Sequence, residues 1–169
     1  MKKLFIGVFA PFLAVLLSGC SLSATGGEIM VSGAYARATD EMSMDKATGT
    51  YMTGMFLVIT NETHEDVTLE SGTSDIAPMV EVHEVVDGMM RKKEGGLVIK
   101  THESAELKPG GNHVMLMGMT QGLSVGSEIT VTLKFSNGDE VVVTAPVKEV
   151  NLEQEHYHSP TPMPSSSGM

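Results

Sequence analysis

The amino-acid sequence predicts an all-β protein, built as an antiparallel sandwich or barrel. From Ile29 onward, apolar and polar residues alternate in short runs that are broken by Gly, Asn, Asp and Pro, which is the pattern of half-buried strands joined by turns. This part of the sequence shows no convincing run of apolar residues at the 3.6-residue spacing of an amphipathic helix. The length of 169 residues fits one domain with extensions at its ends.

Ten strands are predicted where the alternation is clearest, and turn residues bound each of them. The segment 37–49 between the first two strands is predicted to be a loop. Asp87-Gly88 and Asn137-Gly138 each lie between two strands, and both dipeptides favour the two-residue hairpin turn with positive φ. The predicted strands are residues 29–36, 50–60, 66–71, 79–86, 89–93, 97–100, 104–107, 113–117, 128–135 and 139–147.

The N-terminal residues 1–19 have the layout of an export signal. A basic start is followed by an apolar run from Leu4 to Leu17, which is too short for a comfortable transmembrane span. The run ends in Leu17-Ser18-Gly19-Cys20, which resembles the lipobox of bacterial lipoproteins and thereby implies that Cys20 is lipidated. We therefore predict an extracytoplasmic protein that a lipid anchors to the bacterial membrane. The alternative is an ordinary cleaved signal with an incidental cysteine.

Three further segments follow the signal. Residues 20–28 are small and polar and are predicted to be a tether. Residues 29–148 contain the predicted strands and form the folded domain. Residues 149–169 are polar and rich in proline, which predicts a disordered tail that contains His and Met residues.

The composition excludes several classes of protein. The formal charge is −10, with 11 Lys+Arg against 21 Asp+Glu and no basic cluster, which argues against nucleic acid as a partner. The single cysteine cannot form a disulfide within the chain. If Cys20 carries lipid, the folded part has no thiol, and soft-metal chemistry must use the 14 Met and 6 His residues of the chain.

A two-residue turn at Asp87-Gly88 places two metal-binding side chains on one face. The turn pairs Val85 with Met90, and because side chains alternate between faces, His83 and Met90 become diagonal neighbours. Two flexible side chains at that separation can both contact one ion. Met89 points to the other face, towards the core. If the turn is not of the two-residue type, this preference for Met90 fails.

A second pair of metal-binding residues lies in a predicted strand farther along the chain. His113, Met115 and Met117 share one face of that strand, with Val114 and Leu116 on the other. Taken alone, such a methionine is more often a core residue. Two His/Met pairs in one small domain supply four ligands without carboxylate or thiolate, a set that disfavours Ca²⁺, Mg²⁺ and structural Zn²⁺ and suits Cu(I).

With these residues, the sequence resembles the PCuAC-type copper chaperones, which are exported bacterial proteins. The similarity runs from about Ile29 to Val147 and is densest in Glu106–Gly118, which matches the family's motif. The resemblance implies a cupredoxin-like, Greek-key β-sandwich that binds Cu(I). The sequence shows no nucleophile–base set and no Gly-rich phosphate loop, so a metal carrier and not an enzyme is predicted. By position, it implies the ligands His83, Met90, His113 and Met115. Only six residues separate His83 from Met90, fewer than is usual in the family, so that Met89 is the fallback ligand.

The resemblance also implies a function and partners. Family members deliver copper to the CuA centre of cytochrome c oxidase, either directly or through a thiol-disulfide partner protein. One alternative is a surface lipoprotein that buffers copper for copper tolerance, with the same site. Another is a structural β-sandwich lipoprotein without metal, in which the methionines only pack. The sequence does not separate a carrier from a buffer.

Other His and Met residues have less defined roles. His156, His158 and Met163 in the tail are either without function or form an auxiliary site that captures Cu(II) or hands copper to the main site. Met42 and Met44 are assigned to a loop, and the alternative is a further weak Cu(I) clamp. Three other methionines are assigned to the core: Met52, Met55 and Met79.

Overall fold

Strands dominate the computed structural model, which describes residues 27–150. In chain order the elements are β1 (Ile29–Arg37), a 3₁₀ helix (Glu41–Ser43), β2 (Met44–Asp45), β3 (Thr50–Asn61), β4 (Val67–Thr73), β5 (Met79–Val86), β6 (Met89–Lys92), β7 (Leu97–Ile99), β8 (Ser104–Leu107), β9 (His113–Met119), β10 (Glu128–Phe135) and β11 (Glu140–Lys148). The predicted all-β class and the ten predicted strands are confirmed to within a few residues at their ends. Residues 27–150 contain no apolar helix of membrane-spanning length.

The strands form one sheet that closes on itself. Its order is β6-β5-β9-β3-β1-β11-β10-β4-β7, and a further pairing of β5 with β4, each one strand in from an end of this path, closes the sheet. Among the described strands, every pairing is antiparallel except that of β1 with β11, which run parallel where Ala36 faces Val147. Most neighbours in the sheet lie far apart in the sequence, as in Greek-key sandwiches.

The closed sheet encloses the hydrophobic core. Along β10, every second residue from Ile129 to Phe135 is buried, because alternate side chains of a strand point to opposite faces. On β9 the inward residues are Val114 and Leu116. Met55 is fully buried in this core, as predicted.

Two other methionines are not core residues. The assignment of Met79 to the core is wrong, since its side chain is 52 % exposed. Met52 is only partly buried and lies outside the buried cluster. Both residues lie on the outer face of the sheet, because each alternates with inward neighbours such as Val80 and Thr53.

The hairpin at Asp87-Gly88 has the predicted two-residue turn. Both residues have positive φ, 53° and 76°, as the turn requires. The register pairs Val86 with Met89, Val85 with Met90 and His83 with Lys92. This hairpin, formed by β5 and β6, thus places His83 and Met90 as the sequence predicts.

The hairpin at Asn137-Gly138 differs from the prediction of a two-residue turn. The backbone N–H of Phe135 donates to the carbonyl of Asp139 at 3.0 Å, so three residues form the loop. Gly138 has a positive φ of 88°, but Asn137 does not. The Asn137 side-chain oxygen accepts the backbone N–H of Asp139 at 3.1 Å, a local bond that competes with the predicted turn.

The segment 37–49 is not simply a loop. It contains the 3₁₀ helix and β2, which pairs Met44 with Tyr51. The Asp40 side chain accepts the backbone N–H of Ser43 at 2.9 Å, and the Ser43 hydroxyl accepts the backbone N–H of Asp40 at 3.2 Å. This reciprocal capping box stabilises the helix.

Candidate metal centre

The four predicted ligands lie on three adjacent strands of the sheet. β5 is hydrogen-bonded to β6 on one side and to β9 on the other. Its His83 lies opposite His113, and Met90 lies opposite Val85. Opposite residues of antiparallel strands point to the same face, and so do residues two apart on one strand. The outer face of the sheet is therefore shared by all four predicted ligands: His83, Met90, His113 and Met115.

Two of the donor atoms are already in contact. Nε2 of His113 lies 2.9 Å from the sulfur of Met90, and the rings of His83 and His113 have their centroids 5.8 Å apart. Bond lengths of about 2.0 Å for nitrogen and 2.3 Å for sulfur place two donors of one tetrahedral ion about 3.5 Å apart. A small opening of the His113–Met90 pair therefore suffices to admit an ion.

The surroundings of His113 leave one of its nitrogens available as a ligand. Nδ1 lies 3.0 Å from the carbonyl oxygen of Gly111, and because a carbonyl only accepts, Nδ1 carries the proton and Nε2 keeps its lone pair. The residue is only 3 % exposed. Burial lowers the pKa of His113. The hydrogen bond to Gly111 raises this pKa by less, and the neighbouring His83 lowers it further. The imidazole is thus neutral at neutral pH, the form that binds metals.

His83 is held by a carboxylate that the sequence analysis did not single out. Its Nε2 lies 3.2 Å from one oxygen of Glu81, and the other oxygen accepts a hydrogen bond from Lys92 at 2.8 Å. The hydrogen bond from Lys92 lowers the pKa of Glu81 despite partial burial, and the hydrogen bond from His83 lowers it further. Glu81 is therefore ionised and accepts the Nε2 proton, which leaves the lone pair on Nδ1 of His83.

This lone pair has no partner. Among the described residues, Nδ1 of His83 is the buried side-chain nitrogen or oxygen atom that makes no hydrogen bond. An unsatisfied buried polar atom costs about 1–3 kcal/mol, and coordination of a metal offsets that cost. A histidine that donates one N–H to a carboxylate and uses its other nitrogen for metal is a common arrangement at metal sites. Glu81 could have been found in the sequence, since it precedes His83 by two residues on the same strand face.

Buried apolar side chains line the inner end of the site. The ring of Phe56 lies 6.2 Å from that of His113 and 5.2 Å from that of Tyr35, centroid to centroid. Phe56 and Met115 are buried, yet neither belongs to the core inside the sheet. A water-poor wall of this kind favours soft, neutral donors over hydrated ions.

The register also distinguishes Met90 from the fallback ligand Met89. Met89 lies opposite Val86, and thus on the face away from His83. The expectation that Met89 points into the core is wrong, since its side chain is 54 % exposed. This end of the hairpin extends past the buried cluster. The remaining predicted residues, Cys20, His156, His158 and Met163, lie outside the described residues.

Comparisons of sequence relate the chain to bacterial lipoproteins. The family model described as "Putative lipoprotein LpqE-like" matches residues 29–147. "Putative lipoprotein Lxx21020" of Leifsonia xyli subsp. xyli is 34 % identical over 116 residues, which cover 66 % of this chain and 70 % of that protein.

Comparisons of structure relate the fold to PCuAC domains. The apo PCuAC domain from PmoF1 is 20 % identical, with a TM-score of 0.61 over 74 % of this chain and 97 % of that one. The copper-bound PCuAC domain from PmoF2 is 20 % identical, with a TM-score of 0.59 over 74 % and 96 %. DR1885 of Deinococcus radiodurans, solved with Cu(I), is 26 % identical, with a TM-score of 0.58 over 76 % and 83 %. The expected cupredoxin-like sandwich is thereby confirmed.

Proposed function

The chain belongs to the LpqE-like lipoprotein family, and from that premise we propose that it is an extracytoplasmic Cu(I)-binding metallochaperone and not an enzyme. The observation that carries this proposal is the convergence of His83, Met90, His113 and Met115 on one face, with the two imidazoles held in the forms that expose a lone pair. Copper is the cargo of this site. The copper-bound state of similar PCuAC domains supports the assignment.

The donor set selects the metal. Two imidazoles and two thioethers are neutral and comparatively soft, which suits Cu(I) and disfavours hard ions. Within residues 27–150, no group of three or more His, Cys, Asp or Glu side chains is placed to hold an ion. A purely structural role for these residues does not account for the unpartnered Nδ1 of His83, which destabilises the metal-free fold.

The site is also built to release its ion. Neutral donors bind Cu(I) less strongly than thiolates, and Met90 lies on β6, which has only β5 as a hydrogen-bonded neighbour among the described strands. Because an edge strand of four residues can move with little loss of pairing, one ligand can withdraw during transfer. The recipient we propose is the CuA subunit of cytochrome c oxidase or a thiol-disulfide copper-transfer protein. A lipid on Cys20 keeps the domain at the membrane where that recipient lies.

Competition for Cu(I) with a chromophoric chelator tests the site. Met90→Leu is expected to weaken binding at least tenfold, because leucine fills a similar volume but lacks the sulfur. Met89→Leu is the matched control, since it removes the adjacent thioether from the other face, and it should change the affinity less than twofold. Equal effects of the two substitutions, or wild-type binding after His113→Ala, would exclude the proposed site.

Growth under defined copper supply tests the carrier role. Loss of the gene is expected to lower cytochrome c oxidase activity when copper is scarce, and added copper should restore it. Loss of tolerance to excess copper with normal oxidase activity would instead identify a copper buffer.

A further inference from the structure

Three more methionines form a row beside the candidate centre. Met117 on β9 lies opposite Met79 on β5 and, on its other side, opposite Met52 on β3. The register thus aligns one methionine from each of three adjacent strands, with Met117 in the middle. Directly opposite residues have Cβ atoms about 4.5–5.5 Å apart, a distance that flexible methionine side chains easily bridge.

The row lies on the same face as the His/Met centre. Met117 follows Met115 by two residues on β9, so both point outward, about 6.6 Å apart along the strand. Met115 is therefore positioned between the methionine row and the two histidines. On β3, the residue opposite Met115 is Gly54, and the ring of Phe56 packs over this glycine, with its Cζ 3.0 Å from where a Cβ would lie.

Packing alone does not explain these methionines. Met55 and Met119 on the same strands point inward and are essentially fully buried. In contrast, none of the outward Met52, Met79 and Met117 belongs to the core, and Met79 is 52 % exposed. A half-exposed methionine contributes little of the apolar burial that stabilises a fold.

The carboxylate next to the row on β5 already has partners. Glu81 follows Met79 by two residues on the same face, and its oxygens are engaged by His83 and Lys92. Three neutral thioethers without carboxylate or imidazole favour a soft monovalent ion such as Cu(I) over harder ions.

We propose that Met52, Met79 and Met117 form a second Cu(I) site, a solvent-accessible set of three thioethers through which copper enters and leaves the His/Met centre. Transfer exchanges ligands one at a time: a copper–sulfur bond to the row breaks as one to Met115 forms, and then the imidazoles bind. The ion stays Cu(I), and no proton or electron is transferred. The role as an entry route rests on the proposed chaperone function, whereas the existence of the second site does not.

Methyl resonances of the methionines provide a direct test. The full chain is labelled with ¹³C at the methionine methyl groups and carries His156→Ala, His158→Ala and Met163→Leu, so that the tail does not contribute. Cu(I), or Ag(I) as its redox-inert analogue, is then titrated. The first equivalent is expected to shift the methyls of Met90 and Met115, and the second those of Met52, Met79 and Met117.

A matched pair of variants completes the test. The triple substitution Met52→Leu, Met79→Leu and Met117→Leu should lower the stoichiometry from two ions to one and slow uptake at the first site. Met30→Leu with Met42→Leu, which replaces two exposed methionines elsewhere, should leave two ions bound. Leucine conserves the volume, so unchanged circular dichroism is expected.

The outcomes separate this proposal from the chaperone function. A second equivalent that shifts none of the three row methyls, or a triple variant that still binds two ions, overturns the second site. If the first equivalent nevertheless shifts Met90 and Met115, the His/Met centre is retained. If the first equivalent binds at neither of these residues, the proposed function fails independently of the row.

Discussion

Replacing Glu81 by glutamine tests whether this carboxylate determines which nitrogen of His83 binds copper. Glu81 accepts the Nε2 proton of His83 at 3.2 Å and is kept ionised by Lys92 at 2.8 Å. In the variant Glu81→Gln, a neutral amide oxygen replaces the carboxylate, so the preference for a lone pair on Nδ1 weakens. We expect a lower affinity for Cu(I) with the fold intact.

The size of the effect follows from the hydrogen bond that is changed. A hydrogen bond to a charged group contributes about 1.5–3 kcal/mol, against about 1 kcal/mol for a neutral pair. The difference of about 1–2 kcal/mol corresponds to a 5- to 30-fold loss of affinity. This range overlaps the 10- to 100-fold losses that are typical when a group orienting a metal ligand is mutated.

The same hairpin provides a matched control. Glu84 is also on β5 and also bridges two cations, Arg91 at 2.9 Å and Lys93 at 2.7 Å, but it points to the face away from His83. Glu84→Gln should therefore change the Cu(I) affinity less than twofold in the same chelator competition. If the two glutamine variants bind copper equally well, Glu81 does not orient His83, and the assignment of Nδ1 as the ligand fails.

Three further predictions concern stability. Gly95 and Gly96 both have φ near 77°, but a Cβ at Gly96 would lie 2.4 Å from the carbonyl oxygen of Leu69, whereas one at Gly95 meets nothing within 4 Å. Gly95→Ala should cost about 1–2 kcal/mol of unfolding free energy and Gly96→Ala clearly more, measured by urea denaturation. Asn61 is fully buried and donates to the carbonyls of Glu65 and Ile99, so Asn61→Ala should cost about 2–4 kcal/mol in the same assay. Burial lowers the pKa of His113 below its unfolded value of 6.5. As the pH falls, the imidazole is therefore protonated in the unfolded chain at a higher pH than in the folded protein. The metal-free protein should therefore lose stability as the pH falls below about 6.5, and less steeply in His113→Gln.

Local chemistry explains what the sequence could predict. Asp-Gly at residues 87–88 determines a turn, the turn determines the register, and the register places Met90 on the face of His83. No step of this inference requires a contact between distant parts of the chain. The strands themselves were predictable for the same reason, because alternation and turn residues act over a few positions.

Long-range pairing explains what the sequence could not predict. The alignment of His83 with His113 depends on β5 pairing with β9, and nothing within either strand specifies that neighbour. A methionine in a strand usually packs inside, but the pairing of Met79 with Met117 places it on the outer face. At the Asn137 turn, the local Asn137–Asp139 bond is joined by one from another part of the sheet, in which the backbone N–H of Ser136 donates to the carbonyl of Thr68 on β4 at 2.9 Å.

The closed sheet explains why the centre lies on the outer face. Its interior is needed for the hydrophobic core, so ligands can only alternate with core residues along the same strands, as His113 and Met115 alternate with Val114 and Leu116. Shielding from water must then come from side chains on the outer face, and the edge strand β6 contributes to it by placing Met90 against His113 at 2.9 Å. Copper bound there ties the edge hairpin to the central strand. By linkage, an ion that binds this closed arrangement stabilises it, by about 4 kcal/mol at a thousandfold excess over the dissociation constant. Under the proposed function, a recipient that draws β6 away would weaken copper binding by the same coupling, and docking would thereby promote release.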